Sequence, residues 1–188
     1  MPLVSALRTR ASERTPSEAP LPLPVLSSLL KEVFGPGQTI DGEPDAARRS
    51  YPSAGARFPT ECYVIAQRTA DLEPGVYHYD VPGHGLHSLR TADVADDVLP
   101  CFGFPWIAAS RAVLVLTAAL PRTTCKYGER GYRFALLEAG HACENLLLLA
   151  TAFGVPATPV GGFADAPLAR LLGLVGGDEP PIATLVLP

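Results

Sequence analysis

From Tyr132 to Phe153 the chain runs without a proline through a segment dominated by leucine and alanine, although the whole sequence carries 20 prolines. Leucine and alanine are strong helix formers, so this stretch reads as one long helix. Its apolar positions spread around most of the helix surface. Only Glu138, His141 and Asn145, spaced three and four apart, form a polar stripe. A helix of this kind is expected to be buried on nearly all sides, as the core on which everything else packs. Just ahead of it lies a polar entrance, Lys126-Tyr127-Gly128 followed by Arg130 and Arg133, where chemistry is expected.

The remaining elements follow from punctuation and pattern. Residues 1–24 hold Arg8, Arg10 and Arg14 and then the proline-rich Ala19–Pro24, which predicts an extended N-terminal arm ahead of a single domain, 25–188. Ser27 and Ser28 are candidate caps for a short helix through Phe34. A polar loop is expected over Gln38–Ala47 and an irregular Pro/Gly-rich stretch over Arg48–Pro59. Glu61–Gln67, Ala112–Leu120, Ala157–Phe163 and Ile182–Leu187 read as strands. Gly75–Asp80 and Leu86–Arg90 flank Pro82-Gly83-His84-Gly85 as a hairpin. A short helix is expected at Ala92–Val98 and another after Asp165. This order predicts an α+β fold, a mostly antiparallel sheet packed on the central helix.

Composition excludes several functions. A net charge of −4 with no basic block argues against nucleic-acid binding, and the apolar run Leu146–Phe153 is too short to span a membrane. Arg8 and Arg10 interrupt the N-terminus before any signal-like region forms. Four scattered cysteines without a CxxC pair read as reduced thiols in a cytoplasmic protein. No GxGxxG, Walker or GxSxG pattern is present.

Each candidate group has an ordinary reading beside its chemical one. Lys126-Tyr127 offers a phenol whose charged form a neighbouring ammonium favours, which makes Tyr127 a candidate general base. Helix neighbours do not face each other, so convergence of the two is expected only if the chain is non-helical there. Alone, such a pair reads as an exposed lysine beside a packed tyrosine. Glu138-Ala-Gly-His141 has the spacing of carboxylate-bridged metal bundles but lacks a second such motif. It reads as structural or as part of a dimer contact, and no metal is expected. Arg10, Ser12 and Arg14 suit a phosphate. Pro52-Ser53-Ala54-Gly55 and Gly161-Gly162 let the main chain approach a flat ligand, although each is also an ordinary turn.

In combination and order these segments resemble the nitroreductase-like flavoproteins, and specifically their SagB-type dehydrogenase branch, the azoline oxidases. The resemblance rests on Arg10-x-Ser-x-Arg14, Arg48–Gly55, Pro74–Tyr79, Lys126–Arg133, Glu138–His141, Asn145–Gly154 and Gly161–Phe163. It implies a dimeric, FMN-binding fold with flavins at the subunit interface, and oxidation of a thiazoline or oxazoline to the aromatic azole. Lys126 and Tyr127 would be catalytic. Arg10, Ser12 and Arg14 would hold the FMN phosphate. Pro52, Ser53, Ala54 and Gly55 would line the ring or ribityl chain, and Gly161 and Gly162 would border the isoalloxazine.

Many chains of this kind carry further basic phosphate contacts near the C-terminus. Here the sequence ends at Pro188, which leaves Arg48, Arg49 or Arg130 as alternatives. No leader-binding domain is visible, so a peptide or carrier-bound substrate is expected to arrive through partner proteins, or a small molecule in its place. Two other readings stay open: an NAD(P)H-dependent nitro or quinone reductase on the same fold, and a flavin-free scaffold subunit of a biosynthetic complex.

Overall fold

In a computed structural model the described residues are 1–37, 39–40, 43–174 and 176–188, with 39–40 and 43–47 described as backbone. The helices are α1 (Leu3–Thr9), α2 (Leu23–Phe34), α3 (Ala95–Phe102), α4 (Pro105–Ala108), α5 (Pro121–Tyr127), α6 (Arg130–Ala152) and α7 (Asp165–Leu171). The strands are β1 (Thr39–Ile40), β2 (Glu43–Ala47), β3 (Thr60–Ala66), β4 (Gly75–Asp80), β5 (Gly85–Thr91), β6 (Ala112–Ala118), β7 (Thr158–Val160) and β8 (Pro181–Leu187). Six of them form a sheet in the order β5-β4-β3-β6-β8-β7 with every neighbouring pair antiparallel. The α+β expectation holds.

Both faces of the sheet are covered, which is why its central strands are unbroken apolar runs rather than alternating ones. On β3, Cys62, Val64 and Ala66 join the α2 and α6 residues Leu26, Leu29, Ala142 and Leu146 in one core. Tyr63 and Ile65 point the other way, into a second core with Val98 and Phe102 of α3, Ile107 of α4 and Leu168 of α7. All seven residues of β6 are buried.

Several local expectations change. The arm is not uniformly extended, because Leu3–Thr9 is helical and packs against α6 through buried Ala6. Neither serine caps α2. It starts one turn earlier, after Pro22, where prolines supply the preset φ of a first turn. The expected loop Gln38–Ala47 contains the β1–β2 pair, with Gln38, Asp41 and Gly42 outside the described residues. The helix expected at Ala92–Val98 lies at Ala95–Phe102, ended by Gly103 at φ 69°.

The largest correction concerns α6. It is not buried on all sides: Tyr132, Arg133, Leu136, Leu137, Gly140, His141 and Glu144 make a continuous exposed face. The polar stripe splits accordingly. Glu138 is 2% exposed and accepts from the Thr60 amide at 3.2 Å, Asn145 donates to the Ser50 carbonyl at 3.0 Å, and His141 is on the exposed face. No helix among the described residues is long and apolar enough to cross a membrane.

Candidate functional site

The entrance to α6 is built from a helix, a sharp turn and a strained loop. Pro121 opens α5, and Gly128, at φ 57° and ψ −144°, ends it directly after Tyr127. α6 begins two residues later and crosses α5 closely at Gly131. A Cβ on Gly131 would lie 2.8 Å from the Thr124 nitrogen and 2.9 Å from the Thr123 carbonyl carbon. Phe134, one turn into α6, meets the Tyr127 ring edge-on at 5.1 Å between centroids and fixes its orientation.

Facing them is the loop from Pro52 to Pro59. Gly55, Ala56 and Phe58 have φ of 62°, 51° and 44°, a left-handed path that Ala and Phe rarely take. The loop is held there by its neighbours. The Phe58 amide donates to Ser53 Oγ at 2.8 Å, and Arg122 of α5 donates to the Phe58 carbonyl at 2.9 Å. The Arg49 guanidinium lies 4.6 Å over the Phe58 ring and donates to the Tyr51 hydroxyl at 2.9 Å. Arg122 is itself ion-paired to Glu61, whose other oxygen meets His78 at 2.8 Å. Burial works against the Glu61 carboxylate. The hydrogen bond from His78 and the Arg122 guanidinium together outweigh it and hold the carboxyl below its ordinary range. The same bond to Glu61 raises His78, against the opposing effect of burial.

The result is convergence. A Cβ built on Gly55 would lie 2.6 Å from Tyr127 Oη and 3.1 Å from Lys126 Nζ, so both functional atoms stand over one backbone position. The expected condition for this, a non-helical chain at Lys126-Tyr127, is not met: both belong to the last turn of α5. Convergence comes instead from reach. Two long side chains at the helix end bend toward one gap, with Lys126 Nζ 5.3 Å from the centroid of the Tyr127 ring.

The other expected residues lie away from this convergence. Ser12 bridges to Ala157 beside β7, and the Glu13 amide donates to the Ala157 carbonyl. Thr158 Oγ1 donates to the Glu13 carbonyl, which ties the arm down further. Arg10 is half-buried, and Ser12, Arg14, Gly161 and Gly162 are exposed. A Cβ on Gly161 or Gly162 would meet nothing within 4 Å, so this chain leaves the space above them open. Thr158 is level with Val113 of β6 through Val186, whereas Thr60, just after the Gly55 loop, pairs with Ala118. Five strand residues separate the two levels, about 16 Å at ~3.3 Å each. One chain therefore brings Pro52–Gly55 together with Lys126 and Tyr127 and holds Ser12 of the arm at the far level, beside the start of β7. β7 runs back from there, with Val160 level with Val115, so Gly161 and Gly162 beyond it approach the level of Thr60 but follow the edge strand, three strands from β3. Arg48 and Arg49 line a cavity with Pro52, Ser53 and Ala56 of the Gly55 loop, and Arg130 opens α6.

Sequence reasoning missed Arg122, Glu61, Phe58 and Gly131 as parts of this arrangement. Only Gly131 had a visible signal, a glycine inside an otherwise helix-forming segment.

A model of the nitroreductase family matches residues 7–186. The chain belongs to that family. MJ1384 of Methanocaldococcus jannaschii, a protein assigned to the nitroreductases, is 33% identical over 171 residues, 90% of this chain and 83% of that protein. The microcin B17-processing protein McbC of Escherichia coli is 28% identical, over 77% of this chain and 54% of McbC. Among solved structures, a nitroreductase-type protein from Anabaena variabilis superposes with a TM-score of 0.80 at 31% identity, covering 87% of this chain and 34% of that one. A Desulfovibrio desulfuricans family structure in complex with FMN shares the fold, with a TM-score of 0.66 at 17% identity over 99% of this chain and 84% of its own. The chain thus spans about half of McbC and a third of the Anabaena protein.

The residues present suit FMN. Gly161 and Gly162 are exposed with open space where a side chain would stand, so their backbone can be approached by a ring, and Arg10, Ser12 and Arg14 on the arm offer cationic and hydroxyl groups for a phosphate.

Proposed function

We propose that this protein is an FMN-dependent dehydrogenase that oxidises a peptide-borne thiazoline or oxazoline to the azole. The observation that carries the reading is the placement of Lys126 Nζ and Tyr127 Oη over Gly55. Family membership and the relationship to a microcin-processing protein support it.

Arg10, Ser12 and Arg14 would hold the FMN phosphate, Gly161 and Gly162 would face the ring, and Pro52–Gly55 would line its other side. Bound FMN supplies the two-electron acceptor for the hydrogen leaving one ring carbon of the azoline. Tyr127 Oη removes the proton from the adjacent carbon, and Lys126 places positive charge beside that oxygen while it does so. Phe134 and the Gly55 loop keep the phenol in one orientation, which is how positioning becomes rate.

Because the arm is tied down at Ala157, past the C-terminal end of α6, whereas Gly55 lies against Lys126 and Tyr127, just before its N-terminal end, a homodimer completes the site. Two copies packed antiparallel on the exposed Tyr132–Leu136–Leu137–Gly140–His141 face would set the arm of one against the Gly55 loop of the other. Leu3, Val4 and Leu7, each more than half exposed on α1, extend that apolar surface.

The test is Tyr127→Phe and Lys126→Ala in flavin-loaded protein with an azoline-containing peptide. Each should retain flavin and lose about 10²-fold or more in kcat, the usual contribution of a positioned general base. Full turnover in both variants would remove these roles. The relationship to MJ1384 keeps a second reading in view, NAD(P)H-driven reduction of nitro or quinone compounds. Rapid bleaching of the bound flavin by NADPH would favour it.

A further inference from the structure

Beside the Gly55 loop the surface brings three cationic residues together, in a protein of net charge −4. A cavity of about 370 Å³ is lined by Lys31, Arg48 and Arg49 together with Gly35–Gly37. It adjoins a second, of about 260 Å³, through the shared residues Arg48, Arg49 and Ser50. The second cavity is walled by Pro52, Ser53 and Ala56, so it ends at the loop over which Lys126 and Tyr127 converge. Two adjoining spaces of this size extend on the order of 13 Å, the reach of about four extended residues.

The groove is built rather than incidental. Arg49, which lines both cavities, is held by the Tyr51 hydroxyl and by the Phe58 ring, so it adds a fixed positive charge to the groove wall at little further cost in side-chain order. Ser50 between the cavities is locked from both sides, donating to the Val33 carbonyl and accepting from Asn145. Among the described lining residues of the first cavity the only acid is Glu32, against three cations. Low-dielectric walls with one prevailing sign of charge concentrate ligands of the opposite sign.

We propose that this groove binds the substrate peptide through a carboxylate, so that the protein selects sequences with an acidic residue about four positions from the ring that reaches Lys126 and Tyr127. The inference rests on the peptide-azoline reading for its ligand, but its test does not depend on turnover. Lys31 and Arg48 are both exposed, and reversing them leaves the Tyr51–Arg49–Phe58 stack untouched.

The experiment uses flavin-loaded protein and fluorescein-labelled peptides with a central cysteine and two aspartates placed four residues to either side. Matching peptides with asparagines at those positions serve as the comparison, and binding is read by fluorescence anisotropy. One aspartate peptide should bind about tenfold more tightly than its asparagine partner at low salt. The difference should collapse above roughly 0.5 M salt and in the Lys31→Glu/Arg48→Glu variant, with flavin content unchanged. Equal binding of aspartate and asparagine peptides would overturn the proposal. So would loss of flavin in the double variant, which would assign the groove to the FMN phosphate. If the acidic preference appears but no azoline is oxidised, the groove stands and the activity reading fails.

Discussion

Gly55→Ala tests whether the gap under Lys126 and Tyr127 is required. Two effects act on the substitution, and they fall on different measurements. Gly55 sits at φ 62°, and an L-residue in that region costs about 1–2 kcal/mol. That cost is a loss of stability, visible as a lower urea midpoint with unchanged slope. The new methyl also lies 2.6 Å from Tyr127 Oη, about 0.8 Å inside ordinary contact. Lys126 can swing away cheaply. Tyr127 cannot, because its ring is pinned edge-on against Phe134 and its backbone lies in α5. The phenol oxygen must therefore move by most of an ångström, and misplacement of that size is worth about 10²-fold in rate. The control is the neighbouring Ala56→Gly. Ala56 has φ 51°, so glycine there relieves strain without changing the gap, and it should preserve kcat while raising stability by up to about 1 kcal/mol. Steady-state azoline oxidation and urea unfolding of both variants decide the matter. If Gly55→Ala loses stability as expected but keeps kcat within about twofold of the parent, the contact geometry is irrelevant to turnover and the role given to Tyr127 is refuted.

Two further outcomes follow from the same framework. Gly131→Ala drives a methyl to 2.8 Å from the backbone of α5, which cannot rotate away, so α5 and α6 must separate. A cost of about 1–3 kcal/mol is expected in urea unfolding, with a fall in kcat because Lys126 and Tyr127 ride on α5; an unchanged midpoint would show that the crossing is not tight. The Glu61–His78 pair predicts a pH dependence. Raised in the fold, His78 contributes stability that is full below its unfolded value of about 6.5 and is lost as pH rises through the folded one. Depressed in the fold, Glu61 contributes above about 4.3 and loses this as pH falls through its folded value. The melting temperature should therefore drop from pH 6.5 to 8 by more in the parent than in His78→Asn, and parallel curves would remove the pair from the account.

How much of this was legible in the sequence depended on the length of the signal. The buried strands Thr60–Ala66 and Ala112–Ala118, the Gly75–Thr91 hairpin and the long helix all carry patterns of seven residues or more, and each appears within a few residues of where the sequence places it. α1 and α5 have seven residues each, open after or on a proline, and sit in stretches whose composition points to extended chain. Their helicity comes from packing, on α6 in both cases, which no local pattern records. The exposed face of α6 was hidden for the opposite reason. Leucines facing outward look the same in sequence as leucines facing a core. In the candidate site the residue types were readable as motifs, but their supports were not. Arg122 and Glu61 join residues on two elements far apart in sequence, and neither position has a distinctive neighbour.

The strained loop shows why those unreadable supports matter. Ala56 and Phe58 hold backbone conformations that cost on the order of 1–3 kcal/mol each when unsupported. Glycine at either position would remove that cost, yet the chain keeps a phenylalanine at 58. That ring is the surface on which Arg49 lies, its carbonyl anchors Arg122 of α5, and its amide closes onto Ser53. A glycine would retain the two backbone bonds and lose the platform. The strain thus couples two things that would otherwise move independently: the charge of Arg49 on one side of the loop, and the helix carrying Lys126 and Tyr127 on the other. Glu61 and His78 extend this coupling into the sheet, so α5 is referenced to β3 and β4 rather than to its own short length. A seven-residue helix is marginal by itself. Its last two side chains can be held over Gly55 because four other elements fix where it stands.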